Sequence, residues 1–255
     1  MGRCQILAAG RERRQLFLKE LLQQEGYQVD TEADMAVQQK SPAAYDVILL
    51  PIPETKQYFI KWHDVFHEGQ RIFGCNFPAE AEKQMLDCVD YMKEHGVAEK
   101  NAVATAEGAI AEAITLMTGN IEGSKSLVAG YGRCGSIIAE KLLALKSQVV
   151  VLEQEEQKCI RAMEVGCGRK EDKDLSAYDL IINTTPGKLF DRHNLKSCKK
   201  EVVLLDIATK PGGVDFAYCE EKNITAKLCP GIPGKYAPKA AAQILVEVVK
   251  KYVKE

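Results

Sequence analysis

The feature of this 255-residue sequence that most constrains its fold is a glycine-rich turn, Gly-Tyr-Gly-Arg-Cys-Gly at residues 130–135. Residues 126–129 before the turn are short and apolar, like a buried strand, and residues 136–145 after it have a helical pattern. A second apolar run, residues 148–152, is followed by Glu153. This order of strand, glycine turn, helix and strand, with an acid about 20 residues after the turn, is typical of a dinucleotide-binding unit. The sequence therefore predicts an α/β fold with a Rossmann-like, doubly wound parallel sheet.

Each glycine of the turn has a distinct predicted role in binding a diphosphate. Backbone N–H groups at a helix N-terminus bind phosphate, and the helix dipole favours its negative charge. Gly130 permits the tight turn, Gly132 has no Cβ to block the diphosphate, and Gly135 lets the helix pack close to the strand. The turn residues predicted to bind the cofactor are Gly130, Gly132, Arg133, Cys134 and Gly135.

Glu153 bears on the identity of the cofactor. A carboxylate here would accept hydrogen bonds from the adenosine ribose hydroxyls, and its charge opposes a 2′-phosphate, which favours NAD over NADP. Residues 153–156 contain no arginine that could bind such a phosphate. The same glycine pattern occurs in methyltransferases that bind S-adenosylmethionine, so the pattern predicts the fold more securely than the cofactor.

The composition is that of an ordinary globular protein and argues against several functions. Apolar residues make up 46% of the chain and charged residues 27%, which is usual for a soluble domain. The formal net charge of −2 gives no electrostatic reason to expect nucleic acid or an anionic membrane as a partner. No apolar run approaches the length of a membrane span, and the first residues lack the apolar region of a signal peptide. We therefore expect a cytoplasmic protein.

Nine cysteines are scattered along the chain, and none of them forms a Cys-x-x-Cys pair. This usage is more typical of reduced thiols than of a disulfide framework or a zinc site, and no metal is expected. Cys134 lies within the glycine turn, where a helix N-terminus can lower the pKa of a thiol. His63 and His67 resemble a zinc-protease motif but lack a third ligand, so we expect them in a surface loop or a short helix.

The first hundred residues alternate predicted strands and helices, as in a smaller, flavodoxin-like α/β domain. Strands are predicted at residues 5–9, 46–50 and 71–75, and helices at residues 13–24 and 79–86. Gly26 ends the first helix. Residues 54–70 are predicted as a long loop or a poorly patterned segment.

A long helix is predicted directly before the glycine turn. Apolar residues at helical spacing form its stripe: Ala106, Ala109, Ile110, Ala113, Ile114 and Met117. Thr105 is the predicted N-cap and Gly119 the predicted end. We expect residues 101–119 to connect two domains.

The remainder of the chain continues the alternation of strands and helices. Helices are predicted at residues 154–165 and 215–221, and strands at residues 178–182, 202–206 and 224–228. An amphipathic helix with Pro238 near its start ends the sequence. The predicted domains are residues 1–100 with a returning helix at 238–255, and a cofactor-binding domain at 101–237.

Three loops rich in Pro, Gly and hydroxyl residues follow predicted strands, at residues 183–186, 206–213 and 230–234. Ligands of doubly wound sheets bind beyond the carboxyl ends of the strands. These loops are candidates to line the nicotinamide half of the cofactor, although short βα turns favour the same residues. The cofactor-binding residues predicted here are Asn183, Thr184, Thr185 and Pro186.

These loops, together with the glycine turn and residues 101–110, resemble the family of the A subunits of dipicolinate synthase. The most specific strings are Lys-Pro-Gly-Gly-x-Asp-Phe at residues 210–216 and Pro-Gly-x-Pro-Gly-x-x-Ala-Pro-Lys at residues 230–239. The likeness is dense over residues 100–250 and weaker before them, although Arg14-Gln15-Leu16 also fits. One departure is Ala9-Gly10-Arg11, where the family often has Gly-Gly-Asp.

The resemblance implies an NAD(P)-dependent oxidoreductase in the mother-cell cytoplasm of a sporulating bacterium. Its implied reaction is oxidation of dihydrodipicolinate to pyridine-2,6-dicarboxylate. The implied partners are this dicarboxylate substrate and the flavoprotein-like B subunit of dipicolinate synthase, and we expect a homo-oligomer. The expected acceptor of the family is NADP, whereas Glu153 favours NAD.

A dicarboxylate substrate requires cations or N–H donors in the site. Lys210 and Lys239 lie in the two most specific strings and are candidates to bind the carboxylates. Glu107 and Asp206 are candidates for the base that removes a proton, or for a group that orients it. Thr105 is a candidate for a hydrogen bond to the substrate. Each of these has an ordinary alternative, as a solvated lysine, an acid stabilised by a helix dipole, or a turn cap.

Three other interpretations stay open at this point. The first is another two-domain NAD(P)-dependent dehydrogenase, and the second is a nucleotide-binding subunit without catalytic activity. The third, a methyltransferase, agrees least with the motifs.

Overall fold

The computed structural model describes residues 4–83, 86–209 and 211–253. The chain forms two compact units: unit 1 comprises residues 1–101 and 233–255, and unit 2 comprises residues 102–232. In each unit the described strands form one parallel sheet, with helices in the connections. The predicted fold class, a Rossmann-like sheet with a second, flavodoxin-like α/β domain, is confirmed.

The elements are numbered in chain order. The strands are β1 Gln5–Ala8, β2 Gln28–Thr31, β3 Val47–Leu49, β4 Arg71–Gly74, β5 Asp87–Asp90, β6 Lys125–Ala129, β7 Gln148–Leu152, β8 Gly168–Arg169, β9 Leu180–Asn183, β10 Val203–Asp206 and β11 Thr225–Leu228. The helices are α1 Arg13–Gln24, α2 Glu32–Val37, α3 Thr55–Trp62, α4 Ala79–Lys83, α5 Val97–Leu116, α6 Arg133–Ala144, α7 Glu156–Glu164, α8 Arg192–Leu195, α9 Phe216–Lys222, α10 Ile232–Tyr236 and α11 Pro238–Tyr252.

Unit 1 has the strand order β2-β1-β3-β4-β5, which is the doubly wound order of flavodoxin-like sheets. Successive residues of a strand point to opposite faces, so Leu49 and Ile48 belong to different sides of this sheet. The Leu49 side packs against α1 and α11, represented by Leu18 and Leu245. The Ile48 side packs against α3 through Phe59. Helices therefore cover both faces of the sheet.

Unit 2 has the strand order β11-β10-β9-β6-β7-β8. Its first strand, β6, lies in the middle, with β7 on one side and β9 on the other, as in a Rossmann sheet. Ala129 at the end of β6 pairs with Asn183 at the end of β9. The glycine turn and the Asn-Thr-Thr-Pro loop therefore leave the sheet side by side, at the point where the strand order reverses.

Strands β9 and β10 of unit 2 are apolar until their last residue. All four residues of β9 and all four of β10 are buried, as expected for parallel strands covered on both faces. The final residues, Asn183 and Asp206, are polar and 0% exposed. Burial at this depth requires that both side chains find hydrogen-bond partners.

Most of the predicted elements occur in the structure. α1 and β7 have the predicted bounds, and the other predicted strands agree to within two residues. Pro238 occupies the first position of α11, where the missing N–H of proline leaves no hydrogen bond unmade.

Two predictions about helices are wrong. Residues 54–70 are not one long loop, because Thr55, Phe59 and Trp62 lie at helical spacing and are buried on one side of α3. The helix before the glycine turn begins at Val97, so Thr105 lies inside α5 and is not its N-cap.

Candidate functional site

The glycine turn connects β6 to α6 at the switch point of unit 2. Gly130 has a φ of +91°, and its N–H donates to Leu152 O at 2.8 Å. A Cβ on Gly130 would lie 2.5 Å from Thr184 Oγ1 and 2.7 Å from Thr185 Cγ2. The positive φ and the lack of space both require glycine. The turn therefore packs tightly against the loop that follows β9.

The other two glycines of the turn have opposite surroundings. A Cβ on Gly135, in the first turn of α6, would lie only 2.0 Å from Gly130 O, so the helix approaches the turn as closely as backbone allows. A Cβ on Gly132 would meet nothing within 4 Å, and Gly132 is exposed. A ligand therefore has free access to the backbone at Gly132.

The N-terminus of α6 lacks a side-chain cap. Gly132 is the N-cap residue and makes no side-chain cap hydrogen bond, and the first turn contains no acid. Ser136 N–H makes a hydrogen bond back to Gly132 O at 3.0 Å. The first N–H groups of a helix have no acceptor within the helix and carry partial positive charge. This end of α6 has the properties of a phosphate-binding site.

A cleft of ≈ 830 Å³ lies beside this helix end. Its lining includes Gly132, Arg133, Cys134 and Ser136 of the turn and α6, Lys158 and Arg161 of α7, Thr184, and the acids Glu140 and Glu164. The volume is in the range of small-molecule sites, roughly 300–1,000 Å³. Basic side chains thus stand next to the helix N-terminus, an arrangement suited to an anionic group.

Glu153 follows β7 and holds the turn through backbone donors. Its Oε2 accepts from Tyr131 N–H at 2.9 Å, and its Oε1 accepts from Gln154 N–H at 2.7 Å and Glu155 N–H at 3.1 Å. Burial acts to raise the pKa of Glu153, but the three donors outweigh burial and hold the pKa below its ordinary value. The carboxylate is therefore ionised at neutral pH. Of its roughly four acceptor positions three are used, which leaves one for a ribose hydroxyl.

Asn183 and Asp206 form a buried pair at the ends of β9 and β10. Asn183 Nδ2 donates to Asp206 Oδ1 at 3.0 Å, and Asn183 Oδ1 accepts from Thr185 N–H at 3.2 Å. Asp206 also accepts from Ala208 N–H at 3.0 Å and from Gly213 N–H at 2.6 Å. Both side chains are therefore occupied in shaping the loops that follow their strands. Of the two roles predicted for Asp206, orientation fits this geometry better than direct proton removal.

The rest of the Asn-Thr-Thr-Pro loop lies beside the glycine turn. Thr184 donates to Ala129 O through both its N–H and its hydroxyl, each at 2.9 Å, and it lines the cleft. The Thr185 hydroxyl donates to Asn183 Oδ1 at 3.0 Å, and Pro186 is exposed. The structure thus brings together the two groups of cofactor residues that the sequence predicted.

Thr105 also reaches the glycine turn, because its side chain hydrogen-bonds to that of Cys134. Burial raises the pKa of the Cys134 thiol, and this outweighs the lowering effects of Thr105 and Arg133. The lowered thiol pKa considered for this position does not occur. Glu107 is exposed on α5 and pairs with Lys141 of α6 at 3.1 Å.

The two lysines predicted to bind substrate, Lys210 and Lys239, stay untested. Lys210 lies outside the described residues. Lys239 is exposed in the first turn of α11, which belongs to unit 1. Their roles stay predictions.

Three residues at the cleft were missed by the sequence reasoning. Tyr131 supplies the N–H that binds Glu153, and Lys158 and Arg161 line the cleft from α7. Lys158 also pairs with Glu155 at 2.6 Å. The available signal was the spacing of two basic residues, three apart, on the helix that follows Glu153, the acid predicted to bind the ribose.

The histidine motif of unit 1 has no metal-site geometry. His63 is the C-cap of α3, His67 follows outside any helix or strand, and both side chains are exposed. Within residues 4–83, 86–209 and 211–253, no group of three or more His, Cys, Asp and Glu side chains could hold a metal ion. In the same ranges, no helix has the length and apolar character needed to span a membrane.

Comparison with known proteins bears on the same region. Residues 117–219, which contain the glycine turn, match a protein family described as NAD(P)-binding. The A subunit of dipicolinate synthase from Bacillus subtilis (strain 168) is 35% identical over 184 residues, which are 71% of this chain. The match spans 61% of the length of that relative.

Two crystal structures extend the likeness to the whole chain. The A subunit of dipicolinate synthase from Bacillus halodurans superposes with a TM-score of 0.85 at 26% identity, over 100% of both chains. The corresponding dipicolinate synthase structure from Bacillus subtilis gives a TM-score of 0.78 at 28% identity, over 98% of this chain and 96% of the other. The resemblance to the A subunits of dipicolinate synthase is confirmed, and unit 2 carries an NAD(P)-binding domain.

Proposed function

From this relationship, we propose that the chain is the nucleotide-binding oxidoreductase subunit of a dipicolinate synthase. The proposed reaction is oxidation of dihydrodipicolinate to pyridine-2,6-dicarboxylate, in which the ring loses one hydride and one proton. The observation that carries the proposal is the open N-terminus of α6 at Gly132, at the switch point of a Rossmann sheet. The name of the 35% identical relative supports the choice of substrate.

The residues around the glycine turn fit a bound dinucleotide. We assign the diphosphate to the backbone from Gly132 to Gly135, where the helix N-terminus and Arg133 favour negative charge. We assign the ribose to Glu153 and the nicotinamide end to the loop at residues 183–186. When bound, the nicotinamide supplies the hydride acceptor.

We infer a preference for NAD over NADP. Glu153 is ionised and held in place by three backbone N–H groups, so its charge stays where a 2′-phosphate would approach. Two further acids, Glu155 and Glu156, follow it closely. The nearest basic residue on α7, Lys158, already pairs with Glu155 at 2.6 Å. Both the fixed acid and the paired lysine disfavour an additional phosphate.

The substrate roles rest on residue chemistry. Lys210 and Lys239 are proposed to bind the two carboxylates, and Thr105 to donate a hydrogen bond. Of the two acids considered as the base, Glu107 has an exposed carboxylate, whereas Asp206 is buried and holds the loop at residues 206–213. We therefore propose Asp206 as a positioning residue and Glu107 as the candidate base.

We also propose that the chain forms a homo-oligomer and works with a second, flavoprotein-like subunit in the mother-cell cytoplasm of a sporulating bacterium. The name of the relative, which makes it one lettered component of a synthase, supports the existence of a second component.

The decisive experiment measures dipicolinate formation from dihydrodipicolinate with NAD or NADP, with and without the second subunit. Calorimetric titration with NAD, NADP and S-adenosylmethionine accompanies it. We expect binding of a pyridine nucleotide, with NAD tighter than NADP, and nucleotide-dependent formation of dipicolinate. Nucleotide binding without product, even with the second subunit present, would favour another dehydrogenase or a non-catalytic subunit. Binding of S-adenosylmethionine alone would contradict the proposal entirely.

A further inference from the structure

The Thr184 hydroxyl occupies space that two glycines of the turn leave open. A Cβ on Gly130 would lie 2.5 Å from Thr184 Oγ1, and a Cβ on Gly135 would lie 3.2 Å from the same oxygen. Both distances are shorter than ordinary van der Waals contact, so a larger residue at either position would displace the hydroxyl. The first and third glycines of the motif therefore make room for a side chain that comes from another strand.

The proton of this hydroxyl has one well-placed acceptor. Thr184 Oγ1 lies 2.9 Å from Ala129 O and 3.5 Å from Gly130 O, so it donates to Ala129. The N–H of Thr184 donates to the same Ala129 O, also at 2.9 Å. Together the two donors use both lone pairs of that carbonyl. Thr184 is thus bound to the last residue of β6 through its backbone and through its side chain.

The glycine turn also has supports that do not involve Thr184. Gly130 N–H donates to Leu152 O at 2.8 Å, and Tyr131 N–H donates to Glu153 Oε2 at 2.9 Å. These hydrogen bonds connect the turn to β7 and to the residue after it. Without the Thr184 hydroxyl, the backbone proposed to bind the diphosphate and the carboxylate proposed to bind the ribose keep these contacts.

The Asn-Thr-Thr-Pro loop is held from two sides, and Thr184 is the link on the side of the turn. On the other side, Asn183 Nδ2 donates to Thr185 O at 3.0 Å, and Asn183 Oδ1 accepts from the Thr185 N–H and hydroxyl. Asn183 in turn binds Asp206 at the end of β10. Loss of the Thr184 hydroxyl would therefore keep the loop attached to β9 and β10 but loosen its connection to the turn.

We propose that the Thr184 hydroxyl is a positioning group, which sets the separation between the glycine turn and the loop at residues 184–186 and thereby places the nicotinamide. This role rests on the proposed function, which assigns the diphosphate to the turn and the nicotinamide end to the loop. A ligand that contacts both parts binds best when their separation is fixed in advance. Because the hydroxyl gives its proton to Ala129 O, it acts through the loop and does not donate to the cofactor.

The substitution Thr184→Val tests this role, because valine keeps the branched shape and replaces the hydroxyl by a methyl group. A methyl carbon stays about 3.3 Å or more from a carbonyl oxygen, whereas the hydroxyl oxygen lies 2.9 Å from Ala129 O. The loop must therefore move away from β6 by a few tenths of an ångström. Ala129 O keeps the N–H of residue 184 as a donor, so no carbonyl is left unpaired and the variant should fold.

Two further variants separate the hydroxyl from other effects. Thr184→Ser restores the hydroxyl without the methyl group. Thr115→Val is the matched control, because the exposed Thr115 of α5 belongs to the same unit and its hydroxyl also donates to a backbone carbonyl, Ala111 O, at 2.8 Å.

The experiment combines two measurements on the full-length chain. Calorimetric titration compares NAD with ADP-ribose, which has the adenosine, the diphosphate and the second ribose but lacks the nicotinamide. Hydrogen–deuterium exchange of residues 183–190, measured without nucleotide, reports on the loop itself. A direct contact between the hydroxyl and the cofactor would change the affinity but not this exchange.

We expect Thr184→Val to raise the Kd for NAD roughly 3- to 10-fold, which is the effect of about one hydrogen bond. Its Kd for ADP-ribose should stay within about twofold of that of the wild type, because the turn keeps its own supports. Exchange in residues 183–190 should become faster by a similar factor as the Kd for NAD. Thr184→Ser should restore most of both properties, and Thr115→Val should behave like the wild type.

Several results would overturn this role. If Thr184→Val binds NAD like the wild type, the hydroxyl does not position the cofactor, and the proposed function is untouched. If the affinities for NAD and ADP-ribose fall in parallel, the hydroxyl supports the turn and not the nicotinamide. If NAD affinity falls while exchange is unchanged, the hydroxyl contacts the cofactor directly. If Thr184→Ser is as weak as Thr184→Val, the methyl group and not the hydroxyl matters. A wild-type chain that binds no NAD would refute this role and the proposed function together.

Discussion

Two substitutions in the glycine turn, Gly132→Ala and Gly135→Ala, should separate an effect on nucleotide binding from an effect on folding. Gly132→Ala adds a Cβ in open space, at a φ of −87° that any residue adopts. The reduced entropy of the unfolded chain favours alanine by about 0.4–1 kcal/mol, and the preference of an N-cap for glycine over alanine offsets this by a similar amount, roughly 0.5–1 kcal/mol. We therefore expect the free energy of unfolding to change by no more than about 0.5 kcal/mol.

The same Cβ should weaken nucleotide binding, because it stands where we propose that the diphosphate meets the backbone. Loss of one charge-assisted hydrogen bond to a backbone N–H costs about 1.5–3 kcal/mol, which corresponds to a rise in Kd of roughly 10- to 150-fold. Gly135→Ala should act in the opposite way. Its Cβ would lie 2.0 Å from Gly130 O, so the helix must move away from the turn, and overpacking of this kind costs about 1–3 kcal/mol in stability.

The assay is calorimetric titration with NAD, alongside urea unfolding followed by circular dichroism. Gly119→Ala is the control, because a Cβ there also meets nothing within 4 Å and the residue belongs to the same unit. It should leave both affinity and stability near those of the wild type. A folded Gly132→Ala protein that binds NAD with unchanged affinity would refute the placement of the diphosphate against this turn.

Three further predictions concern carboxylates. Glu153→Gln removes the charge that opposes a 2′-phosphate, so the affinity for NADP relative to NAD should rise at least about threefold by calorimetry; an unchanged ratio would exclude this role. Asp206→Asn places an NH₂ group against N–H donors such as that of Gly213, and should lower the free energy of unfolding by about 1–3 kcal/mol in urea; wild-type stability would contradict the buried network. The hydrogen bond from Lys19, and then those from Thr31, lower the pKa of Asp34 to about 2. Because the pKa is depressed, this stabilisation is complete at neutral pH and is lost as the pH falls from about 4 through about 2. Asp34→Asn should remove about 1 kcal/mol of stability at pH 6, allowing for solvent screening, and much less at pH 2; equal losses at both pH values would contradict the pKa.

The sheet of unit 2 could be predicted because its signals are local. β6, β7, β9 and β10 each contain a run of at least three apolar residues, and glycine or proline marks several of the turns between them. The missed strands β2 and β5 give weaker signals, since each has a single fully buried residue, Val29 or Val89. Their pairing with β1 and β4, and not their own pattern, makes them strands.

The candidate site was predictable in outline but not in its contacts. The glycines, Glu153 and the residues 183–186 are near one another because parallel strands end at a common edge. The sequence does not indicate that Asn183 and Asp206, 23 residues apart, bury their side chains against each other. Nor does it indicate that Thr105, inside a helix that begins at Val97, meets Cys134. Such contacts depend on tertiary packing, which no local pattern encodes.

The packing of α11 on α1 affects the order in which the units can form during synthesis. Residues 102–232 are contiguous, so unit 2 has all its elements once that stretch has left the ribosome. The core of unit 1 joins Leu18 and Leu22 to Ala242, Leu245 and Val249, which are synthesised after all of unit 2. The unit that is begun first is therefore completed second, and its apolar surface stays without the helix that covers it until α11 has been synthesised.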